Sequence, residues 1–295
     1  MTGSVSGGAI AVMILNVIIC FGIPLGLMVW LVLKKKATMR PVLTGMLVFF
    51  VFQMLLRIPL MQNVLMGMEW FQEMTHNIWL YGIFLALTAG LFEEVGRFVG
   101  YKVLMKRQQA WWDGFAFGVG HGGLEAILIT GTTYVNNLIL AVFINTGGFE
   151  AYASALPPEA AQMIYQQMVG TPATVFLMAG VERIFAMAIQ IALSILVLEC
   201  VRRRNLLLLV LAIALHTLVD APAVILINGY GVNIYLVEAL LGLVAALACV
   251  YIWQSRRSFL GRDGSASSMG QNPPAGYMPP TPYVPSQGEG TDNPN

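Results

Sequence analysis

Seven stretches of this chain are apolar for long enough to cross a bilayer as helices. They lie at about 9–33, 41–68, 78–104, 113–145, 173–200, 206–228 and 231–253. A hydrocarbon core of roughly 30 Å needs about 20 predominantly apolar helical residues. Composition agrees, since 57% of the 295 residues are hydrophobic and only 11% charged, against roughly 25% charged in a soluble domain. The fold class is therefore all-α: a polytopic transmembrane bundle of about seven spans, with lipid as its main surroundings. A net charge of +1 lacks the basic stripe that a nucleic-acid partner requires. Cys20, Cys200 and Cys249 are odd in number and lie in or beside apolar runs, so they read as small packing residues, with no disulfide framework. The first run exceeds a signal-peptide core of roughly 7–15 residues and has no small-x-small cleavage pattern, so it reads as a permanent span.

Charge orients the bundle. Lys and Arg cluster at Lys34/Lys35/Lys36/Arg40, Lys102/Lys106/Arg107, Arg202/Arg203/Arg204 and Arg256/Arg257/Arg262. With seven spans all four clusters fall on one side, which the positive-inside rule makes cytosolic. Splitting the long fourth run into two crossings places the later clusters outside, so seven fits better than six or eight. The expectation is a multi-pass cell-membrane protein with its N-terminus outside and its C-terminus in the cytosol. The transmembrane domain covers 1–260. From 261 to 295 the chain turns rich in Pro, Gly and Ser, too poor in apolar surface to order itself, and reads as a disordered cytosolic tail. The loop 146–172 holds Pro157, Pro158 and Pro172 around a short, weakly helical stretch.

Ionisable groups inside spans are expensive unless paired, and each marks a candidate site. Span three has Glu93, Glu94 and Arg97; span four His121 and Glu125; span five Glu182 and Arg183; span six His216 and Asp220. Arg57 and Glu238 add one each from spans two and seven. At 1.5 Å of rise per residue, Glu94, His121 and His216 all lie about 12–18 Å from the basic edge. Residues three or four apart share a helix face, and Glu93/Arg97, Glu94/Arg97, His121/Glu125 and His216/Asp220 all satisfy that spacing. Three helices thus bring polar faces to one depth, as a shared site requires. The glycines around His121, and the Gly82/Ala86/Gly90 stripe, suit close helix contact.

Some of these groups have structural readings. Arg97 neutralises one glutamate of the pair, Glu182–Arg183 suits a pair locking span five to its neighbours, and Glu238 suits a packing or interfacial position. His76, Asp113 and Glu199 lie at the edges and are expected to be solvated.

A carboxylate and an imidazole can hold a water and take its proton, and a second histidine can donate to an oxyanion. The same groups also suit a three-ligand zinc site with an open position, with Glu94, His121 and His216 as the ligands. Both routes lead to hydrolysis, of an amide bond in the first place. HExxH, GxSxG and GxxxxGK[ST] are absent from the sequence.

The series Glu93-Glu94-x-x-Arg97, Phe117-x-x-x-His121 and His216-x-x-x-Asp220, in this order on separate spans, resembles the three motifs of the CAAX-prenyl-protease and bacteriocin-processing superfamily. The string Gly120-His121-Gly122-Gly123-Leu124-Glu125 and the Glu182-Arg183 pair most resemble its YhfC-like branch of intramembrane metalloproteases, over roughly residues 10–255. The resemblance implies that Glu93 or Glu94, with His121, activates the water. It implies that His216 with Asp220 stabilises the oxyanion or completes a metal site, while Arg97, Glu125, Glu182 and Arg183 support. Arg97 follows Glu94 by three residues where the common motif has four, which leaves open which glutamate is catalytic. Zinc and a metal-free glutamate mechanism both remain open on this reading.

The expected function is an intramembrane peptidase acting on a peptide or membrane-protein substrate. The alternative is a polar-core transporter or proton-coupled channel, which would favour an internal repeat at the midplane; the sequence shows none. The topology yields a first test. Reporter fusions after Leu33 and after Trp253 should both report a cytosolic position, and an external signal from either breaks the seven-span arrangement.

Overall fold

The computed structural model describes residues 3–35 and 38–269. Seven helices among them are long and apolar enough to cross a membrane. They are span one (Gly7–Leu33), span two (Met39–Gly67), span three (Ile78–Leu104), span four (Trp111–Thr146), span five (Ala173–Arg203), span six (Leu207–Gly229) and span seven (Ile234–Phe259). The count is the one the apolar runs predict, and no strand occurs among the described residues. The long fourth run is one crossing. Gly147 ends it at φ +80°, a left-handed conformation that glycine adopts without steric cost. The 146–172 loop then forms two helices, Phe149–Ala153 and Pro158–Gly170, with proline at the start of the second, where its missing N–H is not needed.

By their contacts the residues divide into one unit at Met1–Arg256 and another at Arg257–Asn295. The last helix continues to Met269. The rest of the expected tail, 270–295, lies outside the described residues.

Span five is the central helix, with 72% of its most apolar window buried against 22% for spans one, six and seven. Large side chains on the outer helices face outward instead, among them Leu33, Leu207 and Leu218. Hydrophobicity does not drive helices together in lipid, so close packing at small residues must do so. Span four carries that role. A Cβ added to Gly120 would stand 2.0 Å from the Val42 carbonyl oxygen on span two, and one on Gly45 of span two would stand 2.1 Å from the Phe117 oxygen. On the other face of span four, Gly118 meets the Ile191 Cα of span five at 2.6 Å and Gly122 meets the Gln190 Cβ at 2.9 Å. Gly90 does the same for spans three and six, since its Cβ would stand 3.2 Å from the His216 Cβ. These contacts set the spacing of the four helices that carry the ionisable groups.

Several spans widen into π-helical turns beside those groups: Phe50–Arg57, Gly100–Leu104, Ala126–Gly131 and Ala223–Gly229. Such turns often mark functional positions in helices. Here they follow directly on Glu125 and come within a few residues of Arg97 and Asp220.

The glycine contacts are testable. Gly120→Ala should lower the melting temperature in detergent, since overpacking costs about 1–3 kcal/mol. Gly26→Ala, at a helical glycine whose added Cβ meets nothing within 4 Å, should leave it unchanged or raise it, by up to about 1 kcal/mol of helix propensity. Equal effects from the two would refute the close approach of spans two and four.

Candidate active site between spans three, four, five and six

Arg97 is the only group that can neutralise the adjacent glutamates from their own helix, and it is completely buried. Its Nη1 pairs with Glu94 Oε1, and its Nη2 lies 3.4 Å from Glu93 Oε2. That Nη2 also donates to the side-chain oxygen of Gln190 on span five. A lone buried guanidinium is prohibitive in a membrane, so two carboxylates and an amide oxygen are needed to hold it.

The two glutamates point to different neighbours. Glu94 is fully buried, and its Oε1 also meets His216 Nδ1 at 2.7 Å. Glu93 turns toward spans four and five. Its Oε2 lies 3.0 Å from His121 Nε2 and accepts from Gln190 Nε2 at 3.2 Å. His216 Nε2 stands 3.9 Å from the same oxygen and 3.4 Å from Asp220 Oδ2. A carboxylate only accepts, so Glu94 fixes His216 with a hydrogen on Nδ1 and leaves Nε2 facing Glu93 and Asp220. The His121 ring is packed between aromatic side chains, with Phe49 edge-on at 5.3 Å and Phe117 nearly parallel at 6.3 Å.

A second group adjoins the first. Arg183 Nη1 donates to Glu125 Oε1 at 3.0 Å, and its Nη2 pairs with Glu182. Gln190 joins the two groups, because its Nε2 also donates to Glu125 Oε2 at 2.5 Å. Gln190 is the member that sequence reasoning missed. It is uncharged, so it draws no attention by cost. Its signal is position: it follows Arg183 by seven residues, two turns on, on the same helix face.

These groups form the polar wall of a cavity of about 520 Å³. Glu93, Glu125, Gln190, His216 and Asp220 line it, and Gln53, Arg57, Glu182, Arg183 and Glu238 complete its polar surface. The rest is apolar, from residues such as Leu193, Leu218, Ile227 and Val244. Glu94, Arg97 and His121 stand behind that wall, each with 0% exposure. Arg57 is held by the Leu85 carbonyl at 2.7 Å and Thr88 Oγ1 at 3.3 Å.

The edge residues divide. His76 is exposed and Asp113 half-buried, its carboxylate accepting from the Ala110 N–H at 2.9 Å. Glu199, expected to be solvated, is only 8% exposed, paired with Arg203 Nη2 at 2.6 Å and bonded to the Tyr251 hydroxyl at 3.2 Å. The central position of span five buries even its basic end.

One imidazole and two carboxylates converge closely enough to share an ion: a donor atom from each of Glu93, His121 and Glu125 lies within 4.8 Å of the others. This set shares His121 with the ligands expected from sequence. Glu94 and His216, the other two, are engaged with Arg97 and with each other. One imidazole and two carboxylates suit the chemistry of a catalytic zinc site. The ring nitrogen that faces Glu93 is His121 Nε2, 3.0 Å from its Oε2, so an ion shared by the set would replace that hydrogen bond; Nδ1 has no hydrogen-bond partner among the described residues.

The chain is 41% identical over 257 residues to the uncharacterized membrane protein YhfC of Bacillus subtilis (strain 168), covering 86% of this chain and 99% of that protein. No solved structure matches it. The model of the YhfC intramembrane metalloprotease family matches residues 18–241. With the greater part of its length matched, this multi-pass membrane protein belongs to the YhfC intramembrane metalloprotease family.

Proposed function

We propose that this protein hydrolyses a peptide bond within or beside the membrane, with Glu93 as the residue that takes the proton from water. The observation that supports this most is the position of Glu93. It is the one member of the buried glutamate pair that lines the cavity, and four polar side chains fix its Oε2. A general base must be within hydrogen-bond reach of the proton it abstracts, and Glu94 stands behind the wall. Its role is to carry the Arg97 charge and orient His216.

The geometry supports the remaining roles. His121 and Gln190 hold Glu93 in one rotamer, which limits the loss of orientation between turnovers. His216 presents Nε2 to the cavity. When protonated it donates there to the oxygen of a tetrahedral intermediate or to the departing amine, with Asp220 stabilising its charge. In the alternative, metal-dependent arrangement Glu93, His121 and Glu125 would hold a divalent metal such as zinc in place of the His121–Glu93 hydrogen bond, and the metal when bound supplies Lewis acidity and a more acidic water. The apolar remainder of the cavity excludes bulk water, strengthening each of these interactions. The wider kinship to the CAAX-prenyl-protease superfamily rests on the motif resemblance. The inward orientation of the basic loops rests on charge alone.

The test is cleavage of hydrophobic helical peptides by purified full-length protein in liposomes, with new termini identified by mass spectrometry. His121→Ala should abolish turnover. His216→Ala should lower it by about 10²–10³, the usual effect of losing one oxyanion donor. A strong chelator should abolish activity if Glu93, His121 and Glu125 hold a metal and leave it intact if they act without one. Unchanged cleavage of the same peptide by both histidine variants would overturn the peptidase reading.

A further inference from the structure

Glu238 is the cavity-lining carboxylate that the proposed chemistry leaves unused. It sits on the inward face of span seven with Val237, Leu240, Leu241 and Val244, while Leu236 and Leu243 on the same helix face outward. It is only 8% exposed, and its Oε2 has no hydrogen-bond partner among the described residues. Arg183, on the same cavity wall, is already taken up by Glu182 and Glu125. An unpaired carboxylate at such a position is among the costliest groups to keep in a membrane. The expense is not offset within the bundle. The surrounding charge points the same way: six carboxylates (Glu93, Glu94, Glu125, Glu182, Asp220 and Glu238) face three guanidiniums (Arg57, Arg97 and Arg183) among the described residues on or touching the cavity wall.

We propose that Glu238, with Glu182 beside it, forms a subsite that holds a basic side chain of the substrate, so that the preferred substrate is an apolar peptide segment carrying a lysine or arginine. The proposal rests on the peptidase reading for the kind of ligand, and on the cavity for its chemistry. A long cationic side chain can lay its methylenes along Leu241 and Val244 and bring its charge to the Glu238 carboxylate. An apolar segment with a neutral residue there leaves Glu238 buried and unpaired, which is discrimination by an unmet polar group.

A binding experiment separates this subsite from the chemistry. The full chain carrying Glu93→Gln, which prevents turnover, is placed in phosphatidylcholine/phosphatidylglycerol nanodiscs. Binding is followed by fluorescence anisotropy of a labelled Leu/Ala helical peptide with one central lysine, beside the same peptide with norleucine. The lysine peptide should bind about tenfold more tightly, and adding Glu238→Gln should remove that advantage while leaving norleucine binding unchanged. Leu243→Ala, on the outward face of the same helix, should keep it. Melting temperatures check folding, and Glu238→Met serves as a second variant, since replacing an unpaired buried charge should not unfold the bundle. Equal binding of the two peptides, a lysine preference that survives both Glu238 variants, or no binding of either peptide overturns the subsite. Competition by added phosphatidylethanolamine without discrimination between peptides would assign the site to a lipid amine and overturn it as well. Each of these leaves the peptidase reading to be judged on turnover by the His121 and His216 variants.

Discussion

The buried guanidinium of Arg97 is the interaction on which the rest of the polar core depends. Two carboxylates on consecutive residues of a membrane helix repel each other, and both are almost wholly buried. Arg97 lies on the same face by helical spacing and meets both, so the pair becomes a site rather than a defect. Breaking such a buried pair leaves a charge uncompensated and costs about 3–5 kcal/mol. With Arg97 in place, Glu94 can hold His216 and Glu93 can turn to His121, Gln190 and the cavity. The division of labour between the glutamates follows from geometry: consecutive helical residues point about 100° apart, so one faces spans four and five and the other span six.

That geometry requires the helices to stand unusually close, which only small residues permit. Gly120 and Gly45 bring spans two and four together, Gly118 and Gly122 bring span five against span four, and Gly90 lets span six deliver His216 to Glu94. The glycines thus act on function through position. Polar bonding then fixes what packing has assembled, with Gln190 joining the Glu93 group to the Glu125–Arg183 group. The largely apolar cavity lies against this hydrogen-bonded wall.

Much of this was legible in the sequence because membranes make it so. Seven apolar runs were visible by length, and the buried charges stood out by cost. The i,i+3 and i,i+4 spacings showed which residues share a face. The convergence of Glu94, His121 and His216 at one depth followed from counting rise per residue, and the structure joins all three through the glutamate pair. What depends on helix rotation was not legible. Depth alone does not say whether Glu93 or Glu94 faces the cavity, nor that Glu125 reaches Glu93 and His121 closely enough to share an ion. Gln190 carries no charge and so drew no attention by cost, its one signal being its position two turns after Arg183, although it bonds three members of the site. Glu199 looked like an edge residue, but burial of span five reaches farther than its apolar run suggests.

The most direct test of this account is to compare Glu93→Gln with Glu94→Gln for both cleavage of an established peptide substrate and thermal melting. The account predicts that Glu93→Gln melts near wild type yet loses turnover, because the amide keeps the shape but takes no proton. It predicts that Glu94→Gln melts well below wild type, because Arg97 loses its closest counter-charge. A Glu93→Gln protein that cleaves at the wild-type rate, or a Glu94→Gln protein as stable as wild type, would contradict it.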